Sequence, residues 1–204
     1  MSAWTRVPLA DIAEVFNGKT PSKAEQRSHG HPVLKIKDVS DAGEFRGSFD
    51  SFVDPELADT YEGKRLREGD TLILNAAHNA DYVGSKTYRV QRPTVGALAT
   101  GEWLVIRPAE SRLEPGFAFY WVNSSEARRT IRDMVKGIHL YPKDVARLRI
   151  PLPRAWIISG QRGRRTRRRD CLGSAPRPPL EAERDTGRGS TRLSDRAGTT
   201  SRRA

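Results

Sequence analysis

The sequence nearly lacks cysteine: Cys171 stands alone among 204 residues. No disulfide can form within the chain, which fits a reducing compartment. Long apolar runs are missing too. Nothing approaches the roughly 20 consecutive apolar residues that a membrane-spanning helix needs. The first residues, Met1 to Pro8, contain no apolar core of signal-peptide length. These absences lead us to expect a cytoplasmic protein with no membrane partner. Glycine-rich phosphate loops, Ser-His-Asp spacings and methyltransferase motifs are also absent. The sequence therefore points to no catalytic site and to no cofactor held by this chain.

Lysine is missing from one part only. Residues 154–204 hold 14 arginines, no lysine and 5 acidic residues, a net charge of +9. Residues 1–153 hold 22 Lys+Arg and 20 Asp+Glu, a net charge of +2. The overall formal charge of +11 is thus mostly a property of the C-terminal segment. Bulk basicity says little about residues 1–153, although a basic chain in general suggests nucleic acid. The segment 154–204 is rich in Arg, Gly, Pro, Ser and Thr and includes the run Arg164-Arg165-Thr166-Arg167-Arg168-Arg169. Its few apolar residues cannot offset the entropy of ordering it, so the expectation is a disordered basic tail. Residues 1–153 read as one folded domain.

Within that domain, helix-like and strand-like patterns interleave without a clean βαβ repeat. The expected class is α+β with a mixed sheet. Leu9, Ile12, Ala13 and Phe16 have helical spacing behind Pro8, which predicts a short helix. Asn17 to Ser22 reads as a loop. Pro32 to Val39 alternates apolar and charged residues. That predicts a strand with one buried face, and with Lys35 and Lys37 together on the other. Glu68-Gly69-Asp70 is a turn leading into the buried strand Thr71 to Asn75. Tyr82–Val90 and Ala97–Arg107 predict further strands. Pro115-Gly116 and Ser124-Ser125-Glu126 open two helices. Val145, Leu148 and Ile150 lead to Pro151-Leu152-Pro153, where the prolines should end regular structure.

Four of these stretches, in this order, resemble the target-recognition domain of specificity subunits of type I restriction–modification systems. They are the start around Val7-Pro8-Leu9-Ala10-Asp11-Ile12, the strand Val33 to Val39, the turn and strand Leu66 to Ile73, and the closing Ile150-Pro151-Leu152-Pro153. Together they span residues 4–153. The resemblance implies a subunit that does no chemistry. In that family, two recognition domains each read half of a split site in double-stranded DNA. Long helices dock methyltransferase subunits, which use S-adenosylmethionine to methylate adenine, and a restriction subunit joins them. It also allows for a second half-specificity chain as a partner.

The chain departs from that pattern after Pro153. The family continues with Pro-Leu-x-Glu-Gln and a long helix, whereas here the sequence is Arg154-Ala155-Trp156-Ile157-Ile158-Ser159. An all-arginine, Gly/Pro-rich tail is what a frameshift in a GC-rich gene encodes, so the expectation is a domain truncated or frameshifted at about residue 154. An adjacent reading frame that continues the helix pattern is the expected result of sequencing the gene.

DNA readers need cations for phosphates and amides or arginines for base edges. The stretch Asn75 to Tyr82, with Asn75, His78 and Asn79, concentrates donors and acceptors in a loop after a buried strand, although an ordinary polar turn uses the same residues. Asparagine can pair bidentately with adenine. Lys35 and Lys37 suit phosphates or a solvated face, and so does Lys19 in its loop. Lys136, His139, Tyr141 and Lys143 fall on one predicted extended segment. There the cations suit a DNA backbone, and Tyr141 is expected to pack on a neighbouring strand. Arg128, Arg129 and Arg132 read as a solvated helix face. His29-Gly30-His31 has no second ligand pair, so no metal is expected. Asp38, Asp41 and Asp70 lack the Glu-x-Lys arrangement of a nuclease. The competing functions are a free-standing regulatory module that occupies the specificity slot of a complex, a small metal-dependent nuclease, and a gene remnant without function.

Overall fold

Two runs, Leu72-Ile73-Leu74 and Trp103 to Ile106, offer water no polar side, and they form the centre of the molecule. In the computed structural model, which describes residues 4–109 and 111–153, both are strands buried on both faces. The expected tail, with its arginine run and Cys171, lies outside the described residues.

In chain order the strands are β1 (Trp4–Pro8), β2 (Ala13–Asn17), β3 (His31–Leu34), β4 (Phe52–Val53), β5 (Thr71–Leu74), β6 (Thr87–Arg89), β7 (Leu98–Ala99), β8 (Trp103–Pro108) and β9 (Arg149–Pro153). The helices are α1 (Pro55–Thr60), α2 (Pro115–Val122), α3 (Ser125–Asp133) and the single turn α4 (Pro142–Val145). The central sheet is antiparallel, in the order β2-β8-β5-β6. A second sheet runs β4-β3-β7 with β3 and β7 parallel, and β1 pairs with β9 in an antiparallel ribbon. The α+β class with mixed sheets is what the sequence led us to expect.

Side chains alternate across the central sheet, as a period of two requires. Ile73, Leu104 and Ile106 face the side covered by the helices and the ribbon, where they join Leu9, Val122, Ile131 and Ile150. Leu72, Leu74, Trp103 and Val105 face the other side and pack with Leu34, Leu66, Tyr88 and Val90. Each fully buried aliphatic side chain contributes about 1.5–3 kcal/mol. The sheet is thus the middle of three layers, and its loops can emerge only at its two ends.

The helix starts match their signals. Glu114 accepts the amide hydrogens of Gly116 and Phe117 at 2.9 and 2.6 Å, ahead of Pro115 at the first position of α2. Those two bonds hold the Glu114 carboxyl below its ordinary range. Ser124 caps α3 through the Ala127 amide at 3.2 Å.

Local pattern failed where distant backbone supplied the partners. Leu9 to Phe16 is a 3-10 turn, Leu9–Asp11, followed by β2, and not a helix. The Leu9 and Ala10 amides donate to the carbonyls of Leu148 and Ala146, and β2 pairs along β8. Lys35 and Lys37 do not share a strand face. The Asp38 carboxylate takes the Lys35 amide at 2.7 Å and turns the chain into a 3-10 segment, Ile36–Asp38. Tyr82 belongs to another 3-10 turn, Ala80–Tyr82, and only Thr87–Arg89 of its segment is strand. Ala97–Arg107 is two strands joined by a turn. Pro151 and Pro153 lie inside β9 and do not end it before they occur. The ribbon has only two strands, so each keeps a free edge where a missing amide hydrogen breaks no ladder bond.

Gly18 marks the tightest approach of two loops. A Cβ there would sit 2.2 Å from the Thr100 oxygen and 2.3 Å from the Ala99 oxygen. Gly18→Ala must push the two loops apart, and we expect a loss of at least about 2 kcal/mol in urea unfolding. An unchanged midpoint would contradict this packing.

Candidate nucleic-acid interface

One end of the central sheet collects most of the residues with DNA-binding chemistry. There β2 ends at Asn17, β5 ends at Leu74, and β8 begins at Trp103 opposite Leu74. The loop 75–86 and the turn 100–102 emerge together at this end. The Asn17–Thr20 loop is tied to the same turn. Gly18 donates to the Trp103 carbonyl, Lys19 to that of Ala99, and the Gly101 amide to Thr20 Oγ1 at 2.8 Å. Residues 136–141 join through a bridge between Ala76 and His139 and through the Leu140 amide, which donates to the Asn75 carbonyl at 2.7 Å. Lys35 follows Leu34, whose carbonyl accepts from Thr100, so it leaves β3 at this end too.

Asn75 is not a contact residue. It is 3% exposed, and its amide group donates to Asn17 Oδ1 at 2.8 Å and to the Gly101 carbonyl at 3.0 Å. An amide used up inside the protein cannot pair with a base, so this expectation is corrected. His78 and Asn79 are exposed on the loop that follows. Asn79 Oδ1 accepts the Asp81 amide at 3.0 Å, which shapes the loop.

The segment from Lys136 to Lys143 is not extended. Gly137 takes a positive φ of 62° in a tight turn where the backbones of Lys136 and His139 bond to each other, and Lys143 sits on α4. Tyr141 does not pack on a neighbouring strand. It is 41% exposed, with the His139 ring 6.2 Å away and the Lys143 ammonium 6.0 Å from its centroid. Exposed aromatic and cationic groups therefore lie side by side. Two further exposed apolar groups share this end, Tyr82 at 63% and Ile138 at 42%. Ile138 has no distinguishing signal in the sequence, and the exposure of Tyr82 has none either, because exposure depends on where the loop is held.

The lysines differ in how committed they are. Lys19 lies 5.3 Å over the Tyr61 ring. Lys37 is paired with Asp50, and Lys136 with Asp144 at 2.7 Å. A DNA phosphate would have to compete with those carboxylates. Lys136 holds the Asp144 carboxyl below its ordinary range by its hydrogen bond, burial opposes this, and the charges of Lys136, Lys143 and Arg147 add to the lowering. A depressed carboxyl stabilises the fold above its unfolded pKa, and that stability is lost as pH falls through the folded value. The urea midpoints of the wild-type protein and Asp144→Asn should therefore differ near neutrality and converge as pH drops below about 4. A gap that persists at low pH would contradict the pairing.

The residues suggestive of metal or nuclease chemistry have other partners. His31 Nε2 meets the Gly96 carbonyl at 2.9 Å, and burial lowers the pKa of its ring. His29 Nδ1 lies 3.1 Å from Ser28 Oγ. Asp38 holds the Lys35 amide, Asp41 pairs with Lys86 at 2.9 Å, and Asp70 pairs with Arg107 at 2.8 Å. Among the described residues no group of three His, Cys, Asp or Glu is placed to hold a metal ion. None of the described helices is long and apolar enough to cross a membrane.

This fold is similar to that of solved chains from type I restriction–modification systems. The chain superposes on a chain of a type I R-M system, solved for its complex assembly and conformational transition, with a TM-score of 0.55 and 20% identity. That match covers 79% of this chain and 38% of the other. It is also similar to the HsdS subunit from Thermoanaerobacter tengcongensis, with a TM-score of 0.52 and 17% identity over 78% of this chain and 37% of that one. The chain therefore spans well under half the length of the structures it matches. No family model matches the sequence, and neither does any curated protein.

Proposed function

We propose that residues 4–153 recognise double-stranded DNA by sequence, as the recognition part of a type I specificity subunit. The observation that supports this most is the shared fold across 79% of the chain. The loop end described above supplies the chemistry: Lys19, Lys35 and Lys143 for phosphates, and His78, Asn79, His139 and Tyr141 for base edges and methyl groups. In this reading the chain performs no reaction. Partner subunits supply adenine methylation, with S-adenosylmethionine bound by the methyltransferase, and restriction. A second recognition chain would read the other half-site, all within the cytoplasm. Three aspartates each engaged by an internal partner also favour a reader over a nuclease.

The test is selection of DNA from a randomised duplex pool, followed by binding to the winning sequence. Tyr141→Ala should weaken binding to that sequence by about 1–3 kcal/mol while leaving binding to random duplex unchanged. Equal losses on both DNAs would show that Tyr141 reads no bases.

A further inference from the structure

The loops of the proposed DNA-facing end converge on one buried residue, Asn75. Asn75 donates its side-chain amide to Asn17 Oδ1 and to the Gly101 carbonyl. Its backbone N–H donates to the Glu102 carbonyl at 2.8 Å, and its carbonyl accepts the Leu140 amide at 2.7 Å. Four segments therefore meet at this position: the Asn17–Thr20 loop, the loop 75–82, the turn 100–102 and the segment 136–141. We infer that Asn75 is a positioning residue for specificity, which keys these four segments into one rigid reading surface. The inference rests on the DNA-reading function proposed above and adds to it the determinant of its register.

The chemistry of the side chain is what matters. The two acceptors, Asn17 Oδ1 and the Gly101 carbonyl, lie 2.8 and 3.0 Å from one nitrogen that must carry two hydrogens. Among side chains of this size only an amide offers that donor pair with so short a reach. Aspartate has the same shape but presents an oxygen to both acceptors. Asn17 can turn its own amide to donate, but the Gly101 carbonyl has no hydrogen to offer and is left facing a carboxylate oxygen, so the turn 100–102 must move away. Base readout needs several loops in fixed relative positions, whereas phosphate attraction tolerates their movement. Loss of the Asn75 amide should thus cost discrimination more than attraction.

The full-length Asn75→Asp variant tests this in two ways. Amide hydrogen exchange should quicken in segments 17–20, 100–102 and 136–141 but not in α3. In selection from a randomised duplex pool, the wild-type chain should enrich a consensus. Asn75→Asp should lose at least about tenfold of its preference for that consensus over random duplex. Its salt dependence on random duplex should be unchanged. A core variant in the ribbon, Ile150→Val or Leu152→Ala, matched to Asn75→Asp in thermal stability, should keep the preference and so separate positioning from general loosening. Unchanged exchange in the three segments, or preference retained by Asn75→Asp, overturns the inference. So does equal loss of preference in the matched core variant. Failure of the wild-type chain to enrich any consensus overturns instead the DNA-reading function, and the exchange result then still decides whether Asn75 couples the loops.

Discussion

Arg107→Ala should remove about 3–5 kcal/mol of stability, the cost of stranding a buried charge. Arg107 is on β8 at the end of the sheet opposite the reading loops. Its side chain is 6% exposed, and that of Asp70 is 1% exposed. The guanidinium donates to both Asp70 oxygens, at 2.8 to 3.3 Å, and to the carbonyls of Gly63 and Arg65 at 2.9 and 2.6 Å. Its carbon lies 4.9 Å from the centre of the Phe16 ring. One side chain therefore joins β8, the turn before β5 and the 3-10 segment Glu62–Lys64. Asp70 also accepts the Arg67 amide at 2.9 Å, so alanine at position 107 leaves a buried carboxylate with one remaining donor. Domains of this size have about 5–15 kcal/mol in total, so the variant should be near its unfolding threshold at 37 °C. The double change Arg107→Met with Asp70→Leu should recover most of the loss, because no charge is then left buried. Urea unfolding of the two variants against the wild-type protein checks this. A loss below about 1 kcal/mol for Arg107→Ala would mean that water reaches the pair.

The second large effect concerns salt. Each phosphate neutralised by a lysine adds about 0.9 to the slope of log K against log salt on duplex DNA. If Lys19, Lys35 and Lys143 each meet a phosphate, replacing all three by alanine should lower that slope by about 3 and weaken binding to every duplex alike. The 14 arginines of residues 154–204 have a slope of their own, so the comparison belongs in a chain that ends at Pro153. Lys37→Ala and Lys136→Ala should change the slope less, because Asp50 and Asp144 already neutralise those charges. A slope unmoved by the triple change would place the DNA elsewhere on the surface.

Which of these features the sequence could reveal follows from where each residue finds its partners. β5 and β8 were legible because they are buried on both faces, and a run of apolar residues is the direct imprint of that burial. The α2 and α3 starts were legible because caps act within three residues of themselves. The segment Leu9–Phe16 was not, since its apolar spacing fits a helix and its backbone partners lie nearly 100 or more residues away, in β8 and at Ala146 and Leu148. At the candidate site, His78, Asn79 and His139 were singled out by their chemistry, and the structure leaves them exposed, as it does Tyr141, which was expected to pack on a strand. The Ala76–His139 bridge then brought together two loops that lie about 60 residues apart in sequence. Asn75 was found for the wrong reason. Asparagine after a strand looks the same whether its amide points to solvent or to Asn17. Tyr82 closed the suggestive stretch Asn75–Tyr82, but its exposure was not legible, because an aromatic residue in a loop carries no mark of it.

The measurement that tests the central claim most directly is DNA selection with residues 1–153 alone, without the arginine-rich segment. If the folded domain is the reader, the shortened chain should enrich the same consensus as the full chain, with weaker salt dependence on random duplex. Binding that disappears with residues 154–204, or persists without any sequence preference, would contradict it.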